Sequence, residues 1–458
     1  LPKTLRDRHS ELNVCGTKIN SLLYADDIVL VSSSQQQLQS MLRTCERHSR
    51  EHKYKFAPEK CEVVPPIYKK DIQSSVELYG EALKEVDRYL YLGLPFGAKG
   101  LDTGRMCEIS IAKGVRMASL FHSIGCNGGG FSTAVSRRVL TSFVRPSMEY
   151  GMALVNLKRG QQEATDKAWC QILRKALSVP TTASGGAILK VLGVPRMSFR
   201  ASKLNACFMA RVHDAQPNTL TAKILSFSTK GWGSVKRKTC IKTSESNVHW
   251  RKIKNVATPG EYRRAWNNRQ WREEMQASTK ETGRTQGSYS SKIHNVGPQM
   301  DTFLTIKQTD TLERGPKRKL LLWRLGCIPG RPQMCLGCSE YTKATRSHIV
   351  KCSGIEAAVK KSVIGLEGHH QLEQGTHTLL DIILNDEKNF KKAEVWEAIK
   401  NGMTKMWRMC LGWSPGVRKG SGSAGSKIVA GQEPKNEERM KRGEEGAKNE
   451  DSAALLTL

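Results

Sequence analysis

The sequence has no apolar run of roughly eighteen residues or more, so it predicts no helix able to cross a membrane. Its first residues show no signal-peptide pattern. Aromatic residues are scarce at 6%, and apolar residues reach only 38% of the 458. That composition argues against one large core. It fits about two to four compact units separated by polar stretches. Acidic residues are also short: 43 Asp and Glu stand against 73 Lys and Arg, a net charge of +30. A solvated basic surface explains a small excess, but one of this size points to a polyanionic partner. The 13 cysteines are odd in number and scattered, which argues against a disulfide framework and for a reducing compartment. The expected location is intracellular, in nucleus or cytoplasm. No internal repeat is present.

Against this background Tyr24-Ala25-Asp26-Asp27 stands out. It lies inside Leu22-Leu23-Tyr24-Ala25-Asp26-Asp27-Ile28-Val29-Leu30-Val31, with apolar runs on both sides. Such runs read as strands, so the Asp-Asp pair reads as a hairpin turn above a sheet. Two carboxylates that close repel each other, and a divalent cation with a taste for oxygen ligands relieves the repulsion. A hairpin with two water-facing acids is the plain alternative.

Tyr-Ala-Asp-Asp between apolar strands resembles the catalytic hairpin of reverse transcriptases, and the residues downstream follow that family's order. Ser33-Ser34 can cap a helix whose apolar face is Leu38, Met41, Leu42 and Cys45. Phe56-Ala57-Pro58-Glu59-Lys60-Cys61-Glu62-Val63-Val64 is similar to the family segment in which a lysine leads into a strand. Val76-Glu77-Leu78-Tyr79-Gly80 and Tyr89-Leu90-Tyr91-Leu92-Gly93 resemble the strand pair that ends in the primer-gripping Tyr-Leu-Gly signature. Val144-Arg145-Pro146 with Glu149-Tyr150-Gly151 resembles a thumb-side stretch of non-LTR, LINE-like retrotransposon polymerases.

The resemblance implies that Asp26 and Asp27 hold Mg²⁺, together with an aspartate that precedes the hairpin in the family. It implies that Lys60 donates a proton to the leaving group, and that Tyr91, Leu92 and Gly93 position the primer end. Lys60 equally suits a surface turn, and Tyr91, Leu92 and Gly93 equally suit ordinary strand packing. The hairpin begins about twenty residues after Leu1, whereas family members carry fingers and half a palm before it. Asp7 lies in the polar stretch Arg6-Asp7-Arg8-His9-Ser10-Glu11, a poor buried strand. The expectation is therefore the C-terminal part of a polymerase.

Further along, the period becomes helical. Ile109, Ala112, Val115 and Leu120 share a helical spacing, as do Val135, Val139 and Phe143, then Ala168, Ile172 and Ala176, then Leu204, Phe208 and Val212. Between Lys230 and Glu274, twelve Lys and Arg accompany four Glu, interleaved with Trp232, Trp250, Trp266 and Trp271. Basic side chains neutralise phosphates and exposed aromatics stack on unpaired bases, which makes Lys236, Arg237, Lys238 and Trp266 candidate nucleic-acid contacts. The tryptophans equally fit the core of a small helical unit. Leu320-Leu321-Leu322-Trp323-Arg324-Leu325 reads as a helix end stopped by Gly326.

Cys335, Cys338, His348 and Cys352 give the spacing C-x2-C-x9-H-x3-C. Two cysteines three apart bend round one ion, and a His and Cys four apart share a helix face. Three sulfurs and one nitrogen suit tetrahedral Zn²⁺, and a closed set of four makes the ion structural. The spacing is similar to the zinc segment that follows the polymerase in many retrotransposon proteins, as is Gly326-Cys327-Ile328-Pro329 before it. Cys327 fits less well as a ligand. His369, His370 and His377 read as solvent-facing.

The expected fold is α+β. A partial reverse-transcriptase palm occupies 1–100, a helical thumb and connection 101–227, and a basic tryptophan-containing region and linker 228–300. A zinc-binding segment follows at 301–355, C-terminal helices at 356–413 and a disordered tail at 414–458. The expected function is RNA-directed DNA polymerase of a non-LTR retrotransposon, in a portion lacking the fingers and the first palm aspartate. Its partners would be an RNA template, a DNA primer or target and dNTPs, with no membrane. The rival expectation is a catalytically inactive retroelement remnant that acts as a basic, zinc-containing nucleic-acid-binding protein.

The charge generates a direct test. Binding of single-stranded RNA or DNA should weaken steeply with salt, with a log–log slope of about −0.7 per phosphate contact. Neutralising Lys236, Arg237 and Lys238 together should make the slope shallower by about two units. Trp266→Ala should cost ~1–3 kcal/mol of binding if the ring stacks on a base, and fold stability seen by circular dichroism if it is core. Binding that ignores salt would contradict the electrostatic reading.

Overall fold

The computed structural model describes residues 1–9, 12–14, 17–65, 76–213, 215–216, 218–223, 300, 304, 314–328, 335, 338, 345–362, 379–384, 393–409 and 454–457. The chain divides into two compact units, Leu1–Gly100 with Ser414–Leu458, and Leu101–Trp413. No described helix is long and apolar enough to cross a membrane.

In the first unit, helix α1 (Pro2–Arg8) precedes a hairpin of β1 (Leu12–Val14) and β2 (Thr17–Ile19). Strands β3 (Ser21–Tyr24) and β4 (Asp27–Ser32) form the next hairpin, and helix α2 (Gln35–Glu51) follows. The Ser34 hydroxyl accepts from the Gln37 amide and caps α2. Leu38, Met41, Leu42 and Cys45 are buried on one face of α2, against Ile28 and Leu30 of β4. Each of the larger side chains contributes about 1.5–3 kcal/mol by leaving water. A 3₁₀ turn (Pro58–Lys60) leads into β5 (Glu62–Val64), whose Val63 joins the same core.

Four short strands follow: β6 (Glu77–Leu78), β7 (Glu81–Ala82), β8 (Lys84–Glu85) and β9 (Arg88–Tyr91). Strands β10 (Leu94–Gly97) and β11 (Gly100–Leu101) then reach the border of the unit. The two segments expected to pair with each other do not. Each folds back on its own two-residue loop, β6 on β7 through Tyr79-Gly80 and β9 on β10 through Leu92-Gly93. All four loop residues have positive φ, the type I′ pattern whose twist matches flanking strands. Local turn chemistry therefore won over the longer-range pairing.

Residues Ala454–Thr457, within the tail expected to be disordered, form strand β12. It lies in the middle of the main sheet, whose order is β3-β4-β12-β5-β8. The rest of that tail, 414–453, lies outside the described residues.

The second unit is helical: α3 (Thr103–Ser123), α4 (Thr133–Val139), α5 (Arg145–Glu149), α6 (Arg159–Leu177), α7 (Gly185–Leu192) and α8 (Met197–His213). After the gap come α9 (Arg314–Arg324), α10 (Arg346–Cys352), α11 (Ile355–Ser362), α12 (Leu379–Ile383) and α13 (Ala393–Met409). Ala168, Ile172 and Ala176 are buried on α6, as their spacing implies. Two other faces are out of phase with expectation. On α3 the buried set is Met106, Cys107, Ser110, Gly114 and Ala118, while Val115 is 46% and Leu120 58% exposed. Between α4 and α5 the buried set is Ser136, Leu140, Val144 and Met148, while Val135 is 46% and Phe143 55% exposed. The reason is close packing: a Cβ at Gly114 would meet the Met148 side chain. Small residues sit at the contact so that two helices can approach, and hydrophobicity alone does not register that.

Residues Leu140–Val144 form a wide π turn in which the Arg145 amide donates to the Leu140 carbonyl. Pro146 has no N–H to continue a regular helix, which accounts for the widening. Glu149 then accepts from Arg200 Nε at 2.6 Å and Nη2 at 2.9 Å, tying α5 to α8. Arg145 stands 3.3 Å from the same carboxylate. Gly151, at φ 81, turns the chain out of α5.

Gly114→Val should destabilise the chain by about 1–3 kcal/mol through overpacking against Met148. The check is chemical denaturation. Met148→Ala in the same chain should recover part of the loss, and an unchanged unfolding midpoint for Gly114→Val alone would contradict the close crossing.

Candidate functional site

The β3–β4 hairpin turns on Ala25-Asp26, with Tyr24 paired opposite Asp27. The turn was expected to hold both carboxylates. It holds Asp26, whereas Asp27 is the first residue of β4. Ala25 has φ 55, and Asp26 is not among the positive-φ residues. Positive φ at the first loop position alone is the type II′ pattern, which glycine fits best. An alanine there holds strain of about 1–3 kcal/mol, sustained by the pairing on either side. Asp26 and Asp27 are both exposed, one at the loop and one at the strand start. Ile28, Val29 and Leu30 of β4 are buried, so the carboxylates sit where the apolar strand meets water.

Tyr91 ends β9 and stands close enough to Asp27 to feel its charge. Burial, and after it the Asp27 carboxylate, raises the Tyr91 hydroxyl above its usual range. The Leu92-Gly93 loop extends beyond Tyr91. Gly93 (φ 74) and Leu92 (φ 50) serve that turn, so the conformation of Gly93 has a local cause apart from close approach of a ligand.

Lys60 is exposed at the end of the 3₁₀ turn. Both β4 and β5 run antiparallel to β12, hence parallel to each other, and Thr457 pairs with Val29 on one side and Glu62 on the other. Asp27 and Lys60 each lie two residues before that row. They therefore share one end of the sheet. Among the described residues no third acid, His or Cys groups with Asp26 and Asp27 as a metal-ligand cluster.

Cys335, Cys338, His348 and Cys352 do form such a cluster, their ligand atoms all within 4.8 Å of one another. Cys335 Sγ is 3.8 Å from Cys352 Sγ, and Cys338 Sγ is 3.4 Å from His348 Nε2. Zinc bonds of about 2.3 Å to sulfur and about 2.0–2.1 Å to nitrogen, set tetrahedrally, space two sulfurs about 3.8 Å and a sulfur and nitrogen about 3.5 Å apart. The four atoms thus fit around one such ion. Burial first, then the Cys335 and Cys338 thiols, push the Cys352 thiol up to about 11. A cation at the centre reverses that preference, because it binds thiolates. His348 and Cys352 come from α10, capped by Thr345, whose hydroxyl accepts from the His348 amide at 3.2 Å. Cys327 is buried and outside the cluster.

Lys236, Arg237, Lys238 and Trp266 lie outside the described residues, as do His369, His370 and His377. Sequence reasoning missed a buried group beside the cluster. Arg346 donates to Asp381 Oδ1 at 2.7 Å and to the Trp323 carbonyl at 2.7 Å, with its guanidinium 3.6 Å from the Trp323 ring centroid. Its partners are distant in sequence, so no local pattern announced it.

Residues 1–96 match the family model for reverse transcriptase (RNA-dependent DNA polymerase). No curated protein matches the chain. The match spans the β3–β4 hairpin, α2, the Lys60 turn and the β9–β10 hairpin, and supports a reverse-transcriptase domain in this part of the chain.

Proposed function

We propose that the chain is the hairpin-bearing portion of a non-LTR retrotransposon reverse transcriptase, with a structural zinc segment downstream. One observation carries the reading. A Tyr24–Asp27 hairpin inside the reverse-transcriptase match shares a chain with a Cys335, Cys338, His348 and Cys352 set spaced for a tetrahedral ion.

In this reading Asp26 and Asp27 hold Mg²⁺ through carboxylate oxygens. Bound there, Mg²⁺ supplies charge neutralisation for phosphoryl transfer from a dNTP to a primer. Tyr91, beside Asp27, and the Leu92-Gly93 loop position the primer end. Lys60, at the same end of the sheet, is a proton donor for the leaving group once a substrate spans the gap. The RNA template and DNA strand are drawn by the basic excess. The rival reading is a catalytically inactive remnant that binds nucleic acid through the same basic excess.

The chain is tested for primer extension on RNA with Mg²⁺ and dNTPs, alone and as a chimera. Joined to the fingers and first palm half of an active non-LTR polymerase, it should extend the primer and lose that activity in Asp26→Asn. A folded chimera without extension favours the remnant. Extension by the chain alone, abolished by Asp26→Asn, would show that two carboxylates suffice.

The zinc reading is tested by metal content. One Zn²⁺ per chain should co-purify, and Cys338→Ser should lower that content and loosen mainly residues ~325–355, since binding and local folding are coupled. Full zinc retention in that variant would remove Cys338 from the ligand set.

A further inference from the structure

We infer that Arg346 is a positioning residue for the Cys335, Cys338, His348 and Cys352 site: its guanidinium ties α10, the helix that carries His348 and Cys352, to the end of α9 and to α12. This rests on the zinc reading above. Arg346 is the first residue of α10, the seven-residue helix that carries His348 and Cys352. A helix that short does not stand alone in water. From this position Arg346 Nη1 donates to the Trp323 carbonyl at 2.7 Å and to the Ile328 carbonyl at 3.3 Å. Those carbonyls bracket the turn through Gly326 and Cys327 that ends α9 and leads toward Cys335. Its Nη2 donates to Asp381 Oδ1 at 2.7 Å.

The guanidinium is itself held in place. Its plane lies over the Trp323 ring, and Trp323 Nε1 donates to the same Asp381 oxygen at 3.1 Å. Asp381 on α12 is 1% exposed and Arg346 9%. A buried pair of this kind tolerates little rearrangement, because either charge left alone is costly. The two amino groups of the flat guanidinium reach two carbonyls and a carboxylate together, a fork that a lysine lacks. The arrangement fixes α10 against the segment that leads to Cys335. The face from which α10 presents His348 and Cys352 to the other two ligands is thereby held.

The test uses the full chain, with zinc affinity read by competition against a chromogenic chelator. Arg346→Lys and Asp381→Asn should each weaken zinc by about 10–100-fold, the usual effect of losing a group that orients a ligand. Arg346→Met with Asp381→Leu leaves no unpaired buried charge, so it should keep the helical circular dichroism and still bind zinc more weakly. Cobalt(II) should retain its thiolate charge-transfer band in all these variants, because the ligands are intact, and lose intensity in Cys338→Ser. Zinc affinity within twofold of the parent in the folded double variant would overturn the inference while leaving the zinc reading in place. A parent chain that takes up neither zinc nor cobalt would overturn both.

Discussion

Strand β4 carries the first unit. Its Ile28 and Leu30 pack on α2, its edges pair with β3 and β12, and its first residue is Asp27. A strand bonded on both edges, with Ile28, Val29 and Leu30 buried, cannot slip by one position without sending Ile28 and Leu30 into water. That fixed register keeps Asp27 at the solvent boundary and Asp26 in the loop beside it. The strain at Ala25 is stable for the same reason: the pairing Tyr24 to Asp27 leaves two residues to close the loop. Rigidity of the sheet and exposure of the acids are therefore one property seen from two ends.

The second unit solves a different problem with a different interaction. Its cluster has three thiols and an imidazole, two of the four ligands on a helix of only seven residues. Burial, and after it the neighbouring Cys335 and Cys338 thiols, raise the Cys352 thiol, so Cys352 without an ion favours neutral sulfur. A buried ion pair beside the cluster supplies the order. Arg346 and Asp381 gain little net stability from each other once desolvation is counted, but they specify one arrangement strongly. Trp323 contributes both a ring face and an N–H to that arrangement, which links the end of α9 to α12 and α10.

What the sequence made legible was local. The Ser34 cap and the face Leu38, Met41, Leu42 and Cys45 lie within three turns, and the helix forms as that spacing implies. The C-x2-C-x9-H-x3-C spacing is also local, and its four residues do come together. The phase of α3 was misread because Val115 and Leu120 look like core residues, whereas the contact with α5 needs Gly114. The pairing of Val76–Gly80 with Tyr89–Gly93 was misread because Tyr79-Gly80 and Leu92-Gly93 each close a tight turn of their own. Strand β12 and the Arg346–Asp381 pair depend on partners far along the chain, and a window of neighbours carries no trace of them.

Charge joins the two ends of the proposed function. A chain of net charge +30 attracts a nucleic-acid backbone from a distance and with little regard to sequence. Locally the Tyr24–Asp27 hairpin does the opposite, since two exposed carboxylates repel phosphate. A divalent cation on Asp26 and Asp27 changes the sign of that patch from repulsive to attractive. In the proposed reading the metal and the nucleic acid thus assist each other at the hairpin, because each lowers the electrostatic cost of the other. The basic surface elsewhere is indifferent to the metal. In that reading, discrimination between mere binding and productive placement resides in two carboxylates, while affinity resides in the many lysines and arginines.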